Sequence, residues 1–327
     1  MILVTGGAGF IGSNLVAGLS KIVGTPVFVC DYIDSEEKER NLAKHAVAGL
    51  IEPSQLLAWL DGPGAATEVV FHLGAISATT ECDPVVLLDN NVALSTSLWR
   101  WCAMQEVRLI YASSAATYGD GTDGFDDDPD PRALVSLEPL NGYGQSKQLF
   151  DIDAVLMSRM GFRPPQWVGL KFFNVYGPNE YHKGGQRSVA VQLYEQIVAT
   201  GRARLFRSHH PDYEDGGQLR DFVWVGDCID VMLWLHENPG VSGIFNCGTG
   251  EARSFLDLAR ACFGAMRREE AIDFIDTPEA LRGHYQYYTE ARMERLRNAG
   301  YKRPFISLED GIASYIRDYL QTNDPFR

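Results

Sequence analysis

The sequence has no apolar run of about 18 residues, the length a helix needs to cross a hydrocarbon core. Its first residues lack a basic segment followed by an apolar stretch and a small-residue cleavage site. A cytoplasmic protein with no membrane partner is therefore expected. Cations are scarce: 29 Lys and Arg stand against 43 Asp and Glu, a formal net charge of −14. Such a surface repels nucleic acid and anionic lipid, so neither is expected to bind, although a local basic pocket can still receive a small anion. The six cysteines (30, 82, 102, 228, 247 and 262) form no C-x-x-C pair and read as reduced, buried thiols. The seven histidines show no ligand spacing; His209 and His210 are merely adjacent in a polar loop. No catalytic metal is expected. Internal repeats and long low-complexity tracts are absent as well.

What is present is a regular alternation. "MILVTGGAGFIGSNLVAGL" is a short apolar run, a glycine turn and a helical pattern. "TPVFVCD", "EVVFHLGA", "RLIYASS" and "WVGLKFFNVYG" are four further apolar runs with helical stretches between them. Continuous Val/Ile/Leu/Phe strands alternating with helices predict a parallel sheet covered on both faces. Past residue 175 the pattern loosens into polar loops and helices, and "DFVWVGDCIDVMLWL" and "GIFNCGTG" read as a return to the sheet. The fold class expected is α/β: a doubly wound parallel sheet over 1–172, with 217–250 returning to it, and a smaller mixed α/β domain for substrate, mainly 173–327. The run "DDDPDPR", 126 to 132, reads as a solvated loop.

Gly6, Gly9 and Gly12 give G-x-x-G-x-x-G straight after the first strand and at the opening of a helix. Small residues there let the backbone approach a pyrophosphate, and the helix N-terminus offers free N–H groups. A glycine motif alone can also mean close helix–sheet packing. Here an acid, Asp31, stands 19 residues after Gly12 at the end of the second strand, where it can accept from a ribose hydroxyl. Together these predict a Rossmann-type site for a nicotinamide dinucleotide. Asp31 suits the free 2′-hydroxyl of NAD, while Lys38 and Arg40 can reach the 2′-phosphate of NADP.

The fourth of these runs ends in Ser113 and Ser114, at the strand edge where open α/β sheets bind ligands. Tyr143 and Lys147 follow about 30 residues later, one helical turn apart on one face. A Tyr and a Lys at that spacing also occur in ordinary helices. Beside a dinucleotide site they form a proton-transfer device: the ammonium favours phenolate, and the serine hydroxyl hydrogen-bonds the reacting oxygen.

This set resembles the extended short-chain dehydrogenase/reductase family of NAD-dependent epimerases and dehydratases. The resemblance spans essentially the whole chain: the glycine turn, "HLGA", "DNN" at 89 to 91, the Ser/Tyr/Lys set, "FFNVYGP" and "RDFVWVGD". It implies Ser114 as the triad serine. It implies a cofactor held by Gly6, Gly9, Phe10, Ile11 and Gly12, by Asp31, Tyr32 and Lys38, and by Leu73, Gly74, Ala75, Ile76 and Ser77. Asn90, Tyr143, Lys147, Val175 and Lys183 would complete that set. Dehydratases of the family carry an acidic pair after the triad hydroxyl; Ala115 and Ala116 stand here and cannot move a proton.

Within the family, "HKG" at 182 to 184, "SATTECD" and "LRGHYQYYT" are similar to the branch of ADP-heptose 6-epimerases. That similarity implies hydride leaving C6 of a nucleotide-activated heptose and returning to its other face, with no net redox. Tyr143 and Lys183 would serve as bases on opposite sides, the alternative for Lys183 being a loop lysine that contacts the diphosphate. Substrate contacts would come from Ser114, Asn174, Gly185, Gln192, Phe206, Arg220 and Tyr285, with Arg220 on the diphosphate. A homo-oligomer serving lipopolysaccharide core synthesis is implied too. The chain departs from the pattern at Tyr32 and Pro53, near the 2′-position, and at Gly185, Gln192 and the 208–219 loop, near the sugar nucleotide. A relative acting on another nucleotide-activated sugar is the alternative. A non-catalytic dinucleotide sensor would have no need of Ser114, Tyr143 and Lys147 together.

Overall fold

The computed structural model describes residues 1–22, 24–79, 81, 83–279 and 286–327. Seven parallel strands form the main sheet: β1 (Ile2–Thr5), β2 (Val27–Cys30), β3 (Gly49–Ile51), β4 (Val69–His72), β5 (Arg108–Ser114) and β6 (Trp167–Phe172), joined by the late strand β11 (Gly243–Cys247). Their order is β11-β6-β5-β4-β1-β2-β3. The chain runs outward from β1 to β3, crosses back, and lays β4 on the other side of β1. The reversal between β1 and β4 opens a crevice at the carboxyl ends of the strands, where such sheets take ligands.

The strands sort their side chains between two cores. Val4, Phe71, Ile110 and Val168 enter one apolar cluster, and their chain neighbours Leu3, Val70, Leu109 and Trp167 enter the other. Period-two alternation with both faces apolar is what a sheet covered on both sides requires. The first cluster packs under α1 (Phe10–Leu19), α2 (Glu36–Leu42) and a late helix. The second packs under α3 (Leu56–Leu60) and, past the short α4 (Pro84–Leu87), under α5 (Leu94–Met104), α6 (Pro131–Ser136) and α7 (Gly142–Arg159). A third cluster, including Leu193, Leu205, Leu258, Phe263, Ile312 and Tyr315, forms the smaller core. It joins α8 (Val189–Thr200), α10 (Phe255–Met266) and α12 (Leu308–Tyr315) to the paired strands β8 (Ala203–Phe206) and β13 (Ile272–Ile275). Between them in sequence lie α9 (Val225–Glu237) and α11 (Glu294–Asn298).

Three sequence expectations change. The run 167–177 is two strands. Phe173 N–H still donates to Cys247 of β11 (3.1 Å), but Asn174 N–H donates to Asp221 (3.1 Å), and β7 (Asn174–Tyr176) pairs with β10 (Phe222–Trp224) in a separate two-stranded sheet. In the 217–250 stretch only β11 rejoins the main sheet. β9 (Leu219–Arg220) pairs instead with β12 (Arg253–Ser254), and "VGDCIDVMLWLHE" is α9, which covers α1: a Cβ at Gly18 would meet Ile229 at 2.9 Å. Lastly, the run 126–132 is not wholly solvated. Asp127 is buried, its carboxylate accepts from Asn246 N–H (2.8 Å), and burial raises its pKa to about 6. Pro131 opens α6, with the Asp130 side chain capping it. The described cysteines (30, 102, 228, 247 and 262) are free and buried. No described helix is long and apolar enough to cross a membrane, and no described group of His, Cys, Asp and Glu could hold a metal.

Candidate active site

The crevice is a cleft of about 1000 Å³. Its floor is glycine backbone. Gly6 has φ +66°, and a Cβ there would lie 2.6 Å from Gly74 N; a Cβ on Gly12 would meet the Gly6 carbonyl at 2.0 Å. Only glycine lets the β1–α1 turn and the 73–77 loop touch. Gly9 caps α1 without a side-chain hydrogen bond, so first-turn N–H groups point at the cleft. This bare, positively polarised cradle fits a pyrophosphate. Beside it, Asp31 accepts from Ala8 N–H (2.9 Å) with one oxygen and from the Lys38 ammonium (3.3 Å) with the other. Lys38 also meets the Tyr32 carbonyl (2.9 Å) and Asp34 (3.2 Å). Arg40 stacks on Phe326 (4.2 Å) and pairs with Asp324 (3.4 Å).

A chain of hydrogen bonds ties this floor to α7. Gly74 N–H donates to Thr5 Oγ1 (3.2 Å), which lies 2.7 Å from His72 Nδ1. His72 Nε2 lies 2.9 Å from Ser95 Oγ, which donates to the Asn91 carbonyl (2.6 Å). That direction assigns the proton to Nε2 and leaves Nδ1 as the acceptor for Thr5. Burial lowers the His72 pKa to about 3, helped by Lys147. Asn91 accepts from Ile76 N–H (2.8 Å) and donates to the Ile76 carbonyl and to Ser146 Oγ (both 2.9 Å); Ser146 Oγ donates to the Tyr143 carbonyl (2.7 Å).

One wall is β5 and α7. Asn141 caps α7 by accepting from Gly144 N–H (2.9 Å), which sets Tyr143 in the first turn and Lys147 in the second. Lys147 is buried, donates to the Ala112 carbonyl (2.8 Å), and is pushed down to about 8 by burial, against the pull of Asp151. Ser114 ends β5 and hydrogen-bonds Tyr143. The sequence suggests that Lys147 lowers the phenol pKa. In the structure burial raises it, the Ser114 bond opposes and Asp151 adds to the rise, while the Lys147 ammonium, 5.9 Å from the ring centre, serves Ala112. Tyr143 therefore rests as a phenol.

The facing wall is the 180–188 segment. Glu180, fully buried, accepts from Ser188 N–H, from Ser188 Oγ (2.7 Å) and from Tyr315 OH (2.9 Å), closing the segment into a loop. Burial raises the Glu180 pKa against these donors. Gly184 kinks the loop with φ +55°. Lys183 lies over the Phe10 ring (5.5 Å), its pKa lowered by burial and supported by Glu180. The C-terminal residues brace the outside: Tyr181 donates to the Pro325 carbonyl (3.0 Å) and packs edge-on against Phe326.

The cleft lining brings together Gly6, Gly9, Phe10, Ile11, Gly12, Asp31, Lys38, Leu73, Gly74, Ala75, Ile76 and Ser77 with Ser114, Tyr143, Lys147, Asn174, Val175, Lys183 and Gly185. Other candidates are placed elsewhere. Asn90 is exposed and donates to Val86 (2.8 Å), whereas its neighbour Asn91 holds the 73–77 loop. Tyr32 meets the site through its carbonyl, its side chain half in solvent. Gln192 donates to the Arg187 carbonyl (2.7 Å), Phe206 ends β8, and Arg220 donates to the Leu219 (2.8 Å) and Gln286 carbonyls with its guanidinium 5.6 Å from the Phe255 ring. Tyr285 lies outside the described residues. Residues given no site role from the sequence also line the cleft, notably His182 of the "HKG" motif and Arg187; Arg187 forks onto Glu195. A basic residue three positions after "HKG" was the signal for the latter.

Residues 2–248 match the family described as the NAD dependent epimerase/dehydratase family. An ADP-L-glycero-D-manno-heptose-6-epimerase of Nitratidesulfovibrio vulgaris is 50% identical over 329 residues, 100% of both chains. The crystal structure of the Helicobacter pylori ADP-L-glycero-D-manno-heptose-6-epimerase superposes with a TM-score of 0.80 at 28% identity, covering 97% of this chain and 95% of that one. A UDP-glucuronic acid 4-epimerase of Bacillus cereus, in complex with UDP-glucuronic acid and NAD, superposes with a TM-score of 0.76 at 25% identity, covering 97% and 99%. With its doubly wound sheet, glycine cradle and Ser/Tyr/Lys wall, this chain belongs to the NAD dependent epimerase/dehydratase family.

Proposed function

We propose that the protein is an isomerase that interconverts ADP-D-glycero- and ADP-L-glycero-D-manno-heptose through a transient 6-keto sugar. The observation that carries this reading is one cleft walled by two proton-handling groups on separate elements, Tyr143 on α7 and Lys183 on the 180–188 loop, above a dinucleotide cradle. The full-length relative from N. vulgaris, named for this reaction, supports the choice of sugar.

The glycine cradle, the first turn of α1 and Asp31 would hold a nicotinamide dinucleotide, which supplies hydride uptake and return at C6. Ser114 orients the C6 oxygen by a hydrogen bond. Lys183, in its neutral form, takes the hydroxyl proton on one side; its lowered pKa suits that task, because a base works best when its pKa lies near the working pH. After the ketone turns over, Tyr143, resting as a phenol, gives a proton to the oxygen from the other side, and the nearby Lys147 ammonium stabilises the phenolate left behind.

NADP is the cofactor of this reading, with Lys38 at the Asp31 edge to meet the 2′-phosphate. NAD is the second reading, favoured because Asp31 and Asp34 already neutralise Lys38 and Asp324 occupies Arg40. Cytoplasmic location, a homo-oligomer and a place in lipopolysaccharide core synthesis belong to the same proposal.

The test is proton NMR of the protein with ADP-D-glycero-β-D-manno-heptose, for wild type and Lys183→Met. Formation of the L-glycero epimer, slowed about 100-fold in the variant, is the expected result. Full activity in Lys183→Met removes Lys183 as a base. No turnover by wild type moves the substrate to another nucleotide-activated sugar.

A further inference from the structure

Lys171 on β6 and Asp151 on α7 form an ion pair at 2.8 Å, and both side chains are 0% exposed. Among the described ion pairs no other is buried on both sides. A buried pair recovers little net stability after desolvation, so its presence calls for another reason. The surroundings supply one. The Asp151 carboxylate also accepts from Ser113 Oγ (2.7 Å) and Tyr111 OH (3.0 Å), both on β5, and Lys171 donates to Thr117 Oγ1 (2.7 Å), whose hydroxyl donates to the Ser114 carbonyl (2.8 Å). Tyr143, Lys147 and Asp151 stand at i, i+4 and i+8 of α7, along one face.

We propose that Asp151 is a positioning residue of the reaction centre: with Lys171 as its counter-ion it clamps the Ser113–Ser114 strand end to α7 and keeps the buried Lys147 ammonium charged. This rests on the role given above to Lys147 beside Tyr143. The groups around Lys147 agree with it. Tyr143 and Asp151 face it from its own helix and a neutral His72 from β4, while Tyr111 of β5 and Lys171 of β6 meet the Asp151 carboxylate. Of these Asp151 is the only anion, and the pKa of Lys147 is raised by Asp151 against burial. Lys171 alone would repel Lys147; paired with Asp151 it cancels part of that carboxylate and anchors it.

The test is retention of bound dinucleotide by the purified protein through gel filtration at pH steps from about 6 to about 9.5, spanning a lowered lysine pKa. Wild type, Asp151→Asn and Asp151→Asn/Lys171→Met are compared, each with a thermal melt. The double variant carries no unpaired buried charge and is expected to melt near wild type. In both variants the pH at which cofactor is lost is expected to fall by about one unit or more, because Lys147 loses its nearby anion. A clamp that is only structural predicts a wild-type midpoint in the double variant, and that result overturns the proposal, as does retention in wild type that does not change with pH. The readout needs no sugar. A shifted midpoint together with a wild type that turns over no heptose would sink the substrate assignment and leave this inference standing.

Discussion

The two walls of the cleft are built in opposite ways. On one, Ser114, Tyr143 and Lys147 sit at a strand end and in the first two turns of an 18-residue helix, over a buried ion pair. On the other, Lys183 sits in a kinked turn between two loop ends that a single carboxylate, Glu180, draws together. Regular elements fix a side chain through the shared backbone ladder; a loop fixes it only through the few groups that tie its ends. The first wall should therefore fail when a reacting group or the buried pair beneath it is removed, whereas the second should fail when its fastening is removed.

Four changes test that contrast. Tyr143→Phe removes a reacting oxygen and leaves the α7 ladder whole. Epimerisation is expected to fall by about 10² to 10⁴, with the melting temperature near wild type; a loss below tenfold would break the assignment. His72→Gln strikes the network under the first wall and shows in stability. The folded pKa of about 3 lies below the ordinary value of 6.5. Between those values the unfolded chain binds the extra proton, so stability is complete above about pH 6.5 and drains away as pH falls toward 3. The loss reaches up to about 5 kcal/mol. Urea unfolding at several pH values should show a flatter acid limb in His72→Gln. Glu180→Gln keeps the shape but replaces an acceptor of four donors, the Gly177 N–H among them, by an amide with one acceptor oxygen. We expect about a tenfold fall in kcat, near the worth of one charged hydrogen bond, with dinucleotide retention unchanged. Unchanged kcat would mean that the 180–188 loop holds itself. Gln192→Ala, behind the lining and touching it only through the Arg187 carbonyl, is expected to change kcat/KM by less than about threefold, within the usual range of a peripheral substitution; a larger change would bring Gln192 into the second wall after all.

The same contrast explains what could be read from sequence. Gly6, Gly9, Gly12, Asp31, Ser114, Tyr143 and Lys147 all occupy strand ends or the first two turns of a helix, so their spacing in the chain translates directly into position. Strand β3 was missed because three residues, Gly49 to Ile51, carry too little pattern to separate from a loop. The split at Phe173 was missed because both halves are equally apolar; what divides them is a change of partner, from Cys247 to Asp221, and both partners lie far along the chain. Asn90 and Asn91 differ by one residue, and only the helical phase decides that Asn91 turns inward to Ile76. Phe206 and Arg220 lie where two-stranded sheets and loops set direction, and there spacing has little hold on space; Gln192 lies on α8, and its side chain turns back to the Arg187 carbonyl. Asp151 and Lys171 were invisible as a pair, since 20 residues and a crossover separate them.

The chain of hydrogen bonds from Gly74 to Tyr143 has a consequence for timescales. Surface loops usually open within microseconds, and their amides exchange with deuterium long before those of a sheet. The 73–77 loop should not. The amides of Gly74 and Ile76 end on Thr5 and Asn91, two inward-facing side chains. Their exchange then needs the opening of β1 or of the helical turn behind them. In deuterium these two loop amides should keep the slow clock of the sheet, so the cleft floor meets its ligand already formed rather than closing around it.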